Sequence, residues 1–122
     1  MTIPTAEERR QSRIKETRDL ILRKGLSGQL NNTKWFELFE LLDKSQIKFQ
    51  IKLLSDSTPR YCDFIRELED SSIFLDNTGD FVEFLEIESI LLERDANSMD
   101  ILDSLGIEYT EKENEFVIVG YR

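Results

Sequence analysis

The chain has 122 residues, with 16 Lys and Arg, 25 Asp and Glu, no histidine and a formal net charge of −9. A domain of this length buries roughly two-thirds of its unfolded surface, and eight Phe, three Tyr and one Trp supply a core. The lack of histidine removes the commonest general base and the commonest metal ligand, so neither a catalytic nor a metal site is expected.

A single cysteine, Cys62, leaves no internal disulfide and fits a reducing, cytoplasmic setting. No segment approaches the ~20 apolar residues of a membrane span, and the N-terminus lacks the apolar run of a signal peptide. The charge is unevenly spread. Residues 1–60 carry twelve basic and eight acidic side chains, whereas residues 61–122 carry four and seventeen. A half this acidic repels nucleic acid and anionic lipid, and it attracts a basic protein partner.

Thr5 and Glu8 read as a capping box opening a helix from Ala6 to about Lys24, stopped by Gly25. Ile14, Leu20, Ile21 and Leu22 are its few apolar residues, so residues 1–30 are expected to form a basic helical arm. Leu26 to Leu30 then reads as a hinge-like linker. The compact acidic unit spans residues 31–122. Asn32 is expected to cap a helix over Thr33–Asp43, with Trp35, Leu38, Phe39 and Leu42 at i, i+3, i+4 and i+7.

Ile47, Phe49, Ile51 and Leu53 alternate with Lys48, Gln50 and Lys52, the pattern of a half-buried antiparallel strand. Tyr61 to Leu75 is open to both readings: Phe64, Ile65 and Leu68 suit a helical turn, Ile73–Leu75 a strand. Asp76 to Asp80 reads as a hairpin turn. It lacks the acidic spacing and distal Glu of a calcium loop. From Phe81 to Leu92 the apolar parity flips near Phe84–Leu85, which predicts a β-bulge. The bulge would align Glu83, Glu86 and Glu88 as a carboxylate ladder. Either a partner or Lys48 and Lys52 from the neighbouring strand would neutralise it.

Asn97 is expected to cap a short helix over Ser98–Leu105, ended by Gly106. Ile107–Thr110 and Phe116–Val119 are expected to form a terminal hairpin. The fold class is therefore α+β, a mostly antiparallel sheet with helices packed on one face and an N-terminal helical arm.

The five glycines are scattered, so no phosphate-binding loop is present and no cofactor is implied. Glu83/Glu86/Glu88, Glu93/Asp95 and Asp100/Asp103 read as solvated faces available to a basic partner rather than as converging metal ligands. Among the aromatics, Phe36 and Tyr61 are the candidates for an exposed hot spot. The basic residues of the first helix are spread around it and diluted by four acids, a pattern that gives little basis for nucleic-acid binding.

Asn31-Asn32-Thr33-Lys34-Trp35 opening a helix, the acidic strand Phe84-Leu85-Glu86-Ile87-Glu88 and the ends Leu105-Gly106-Ile107 and Gly120-Tyr121-Arg122 together resemble an uncharacterised family of small acidic bacterial domains. More loosely, they resemble the immunity proteins of contact-dependent inhibition and polymorphic toxin systems. The likeness covers about residues 30–122. It implies a cytoplasmic, non-enzymatic inhibitor that occludes a basic, nuclease-type toxin domain, with no catalytic residues to carry over. The alternative is an intracellular adaptor or regulatory domain that oligomerises through its N-terminal helix, for instance as a homodimer.

Overall fold

The computed structural model describes residues 3–65, 72–75 and 81–122. The expected turn at Asp76–Asp80 and the helical option at Leu68 lie outside the described residues. Helix α1 spans Ala6–Lys24. The Thr5 hydroxyl oxygen accepts from the Glu8 amide at 3.1 Å, but the Glu8 carboxylate accepts from the Thr5 hydroxyl at 3.2 Å instead of reaching the cap amide. Gly25 ends the helix in the left-handed region, at φ 61.

The segment after Gly25 is not the expected hinge-like linker over its whole length. Ser27 and Arg122 exchange backbone hydrogen bonds of 2.7 and 2.9 Å, and the Gln29 amide donates to Gly120 O at 2.8 Å. The C-terminus thus pins residues 27–29 as an extra ladder. Composition pointed to a hinge because Ser, Gly and Gln have no apolar face to announce the pairing.

Helix α2 spans Asn32–Lys44, one residue earlier than expected, because Asn31 is the cap and accepts from the Lys34 amide. Its stripe of Trp35, Leu38, Phe39 and Leu42 is buried as the spacing required. The strands are β1 (Phe49–Leu53), β2 (Arg60–Asp63), β3 (Ser72–Leu75), β4 (Phe81–Glu83), β5 (Ile87–Glu93), β6 (Thr110–Lys112) and β7 (Glu115–Val119). Helix α3, Ala96–Leu105, stands between β5 and β6. Its cap is Asp95, not Asn97: the Asp95 carboxylate accepts from the Ser98 amide.

Among the described residues the strands form one sheet in the order β4-β3-β2-β1-β5-β7-β6. Every pairing is antiparallel. The fold is α+β. Phe49, Ile51 and Leu53 of β1, Ile90 and Leu92 of β5, and Phe116 and Ile118 of β7 share one buried core with α2 and α3. Phe39 stands at its middle, with ring centroids 5.3 Å from both Phe49 and Phe84.

The acidic strand is where expectation and structure part. A 3-10 turn at Phe84–Glu86 replaces the bulge and cuts 81–93 into two strands. β4 runs along one edge of the sheet, whereas β5 sits in the interior between β1 and β7. The parity flip was real, but a whole turn absorbs it and not one extra residue. The register does shift elsewhere, between Lys52 and Leu53 opposite the start of β5.

Candidate functional site

Because the strand breaks at Phe84, its three glutamates do not share a face. Glu86 is wholly buried, with 0% of its side chain exposed. Its Oε2 accepts from the Glu83 amide at 2.8 Å, and its Oε1 accepts from Arg13 Nε of α1 at 3.0 Å. Loss of solvent pushes the Glu86 carboxyl above its ordinary value, and the Glu83 amide and the Arg13 charge pull against that rise. Glu83 pairs with Arg10 of α1 at 3.2 Å. Glu88 is half-buried on β5 and has no ion pair among the described residues.

The carboxylate ladder is therefore corrected. Glu83 and Glu86 are neutralised from within, by Arg10 and Arg13. Lys48 and Lys52 form no ion pair among the described residues. Arg10 also reaches Ser72 Oγ at 3.4 Å, and Arg13 donates to Phe81 O at 2.9 Å. Sequence reading missed both arginines. Their signal lies in the spacing: Arg10, Arg13, Ile14 and Thr17 fall at i, i+3, i+4 and i+7, an inward stripe half made of cations.

A second set of carboxylates does face solvent. Glu93, Asp95, Asp100 and Asp103 are exposed along the β5–α3 connection and α3, and Glu108, Glu111 and Glu113 are exposed beyond it. Two of these have internal counter-charges: Arg94 pairs with Glu111 at 3.1 Å and Arg122 with Glu108 at 3.0 Å. The Tyr109 hydroxyl donates to Asp103 at 3.4 Å. Glu93 lies directly opposite Glu115 in the β5–β7 register. Like charges so placed repel, and neither has an ion pair among the described residues.

The two candidate aromatics separate. Phe36 is half-buried, its ring packed edge-on against Phe64 at 5.2 Å, so it is no free anchor. Tyr61 is 54% exposed on β2. It stands at a cavity of ≈ 870 Å³ whose lining includes Leu42, Phe49, Cys62 and Phe64. Cys62 is buried there, its thiol donating to Arg60 O at 3.6 Å. The Arg60 guanidinium turns away to Asp56. Among the described residues no group of three or more His, Cys, Asp or Glu converges on a metal position, and no helix is long and apolar enough to cross a membrane.

Residues 17–122 match the model of a family of unknown function, DUF6678. The chain belongs to this family. The DUF6678 match takes in α2, α3 and the whole sheet but begins at Thr17, part-way along α1 and beyond Arg10 and Arg13. No curated protein and no solved structure matches the chain.

Proposed function

We propose that the chain is a non-enzymatic binding protein whose acidic face, built by α3 and the β6–β7 hairpin, engages a basic protein partner. An immunity protein covering the substrate groove of a basic, nuclease-type toxin domain is the form of this reading that the resemblance favours. One observation carries it. The carboxylates of residues 83–86 are neutralised by α1, whereas Asp100 and Glu113 stand exposed without an internal cation among the described residues. A surface with an excess of one sign steers an oppositely charged partner and fixes its orientation. In the free chain α1 lies on its own domain through Arg10 and Arg13, so the adaptor reading requires that helix to leave before it can oligomerise.

The test is affinity capture from the native lysate at low salt, with wild type and with D100N/D103N/E111Q/E113Q. A basic protein retained by wild type and bound at least tenfold more weakly by the variant, with unchanged melting of the variant, supports the reading. Equal retention by both removes this face as the site.

A further inference from the structure

Helix α1 is attached in an unusual way for a nineteen-residue helix. Only Ile14 and Thr17 are buried along it, and Leu22 is 81% exposed. Thr17 Oγ1 is buried with no hydrogen-bond partner among the described residues, so part of that small buried patch is unfavourable. Beyond Ile14 and the half-buried Leu20 and Ile21, the contacts of α1 with the body among the described residues are polar. Arg10 and Arg13, three residues apart on one face, reach Glu83, Glu86, Ser72 Oγ and Phe81 O.

The chain changes character directly after the helix. Gly25 occupies the left-handed region with no atom near its missing Cβ, while residues 27–29 are fixed to the C-terminus by backbone hydrogen bonds. Any pivot for α1 is confined to Gly25 and Leu26. Among the described residues the core of α2, α3 and the sheet does not include Ile14, so that core stays intact if the helix leaves.

We infer that α1 is a displaceable strap, opening about Gly25 while the body stays folded, and that the groove beneath it receives an arginine-bearing helix in trans. The groove is a receptor of defined chemistry. Two carboxylates and a carbonyl are spaced for guanidinium groups one helical turn apart, and a guanidinium satisfies such acceptors with a directional, charge-assisted fork. In the free chain α1 fills the groove, favoured by the high effective concentration of a tethered ligand. A competing helix must match its two arginines and add contacts of its own. This inference does not depend on the α3–hairpin reading.

Two measurements on the full chain decide it. The first is amide hydrogen exchange of wild type and R10Q/R13Q. The strap predicts that α1 amides exchange at least tenfold faster in R10Q/R13Q while those of α2 and β5 change less than twofold. Equal α1 exchange in the two proteins, or acceleration of α2 and β5 together with α1, would overturn it. The second uses a fluorescent peptide of residues 4–25 as probe. It should bind R10Q/R13Q saturably, and at least tenfold more weakly when E83Q/E86Q is added to that background. No saturable binding, or binding indifferent to E83Q/E86Q, contradicts the receptor. Loss of cooperative melting in R10Q/R13Q would show that α1 is part of the core and would also sink the proposal.

Discussion

Glu86 finds its counter-charge 73 residues back in the chain, where Arg13 Nε lies 3.0 Å from its Oε1. The pair ties the 3-10 turn that splits the acidic strand to the helix that opens the chain. Burial raises the Glu86 carboxyl above its ordinary value of 4.5. The folded protein therefore holds this proton more tightly than the unfolded chain does. The stability contributed by Glu86 is fully present below 4.5 and is lost as pH rises through the raised folded value.

Relative to E86Q, which does not titrate, wild type should lose ground as pH rises from about 4 to 8. Denaturant unfolding of both proteins across that range measures the difference. A gap independent of pH would mean that Arg13 and the Glu83 amide fully offset the desolvation.

Gly120 directly follows β7 and packs against the backbone of Ile87 and Glu88. A Cβ there would collide with the Ile87 carbonyl oxygen and lie 3.2 Å from Trp35 Cζ2. Backbone cannot give way as a side chain tip can, so G120A should destabilise by about 1–3 kcal/mol, the range for overpacking. Chemical denaturation checks it. A variant as stable as wild type would show that the end of β7 can shift.

Tyr121 donates its hydroxyl to Leu85 O at 2.5 Å, closing the 3-10 turn from the C-terminal side. Y121F leaves that carbonyl without its donor and should cost about 1–3 kcal/mol. Burial raises the Tyr121 phenol above its ordinary value of 10.0. Its contribution is present below pH 10 and is lost as pH rises through the folded value. The deficit of Y121F should therefore shrink in strong alkali. A constant deficit would contradict this.

Asp95 caps α3 by accepting from the Ser98 amide at 2.8 Å. D95A should lower stability by about 0.5–2 kcal/mol, measured by thermal melting. Its carboxylate thus serves the fold by capping α3. That is why Asp95 is left intact in the variants that test binding. An unchanged melting temperature would place the cap elsewhere.

Much of this fold is legible in the sequence because period and parity survive in it. The spacing of Trp35, Leu38, Phe39 and Leu42 sets α2 on its core, and the alternation from Phe49 to Leu53 sets β1. Gly25 and Gly106 mark helix ends in the left-handed region. The caps slip by one or two residues because Asn31 and Asn32, or Asp95 and Asn97, have equal local credentials.

The region of the ladder misleads for a different reason. Parity along 81–92 reports that the strand is interrupted, but not whether one residue or a full turn interrupts it. Only the long-range pairing of β4 with β3 and of β5 with β1 and β7 decides that. The partners of Glu83 and Glu86 are equally non-local: the spacing of Arg10, Arg13, Ile14 and Thr17 marks an inward stripe on α1 but not the carboxylates it meets.

The proposed binding of a basic partner by the face of α3 and the β6–β7 hairpin rests on electrostatic attraction. Stopped-flow association of the basic protein captured by wild type tests it most directly. Wild type is compared with D100N/D103N/E111Q/E113Q and with E7Q/E16Q/D19N/D43N, which removes equal charge from other exposed positions. With screening over about 8 Å at physiological ionic strength, the wild-type on-rate should fall roughly tenfold between 50 and 500 mM NaCl. The face variant should be slow already at low salt, and the control should stay close to wild type. Equal rates for the two variants, or a wild-type rate indifferent to salt, would contradict the account.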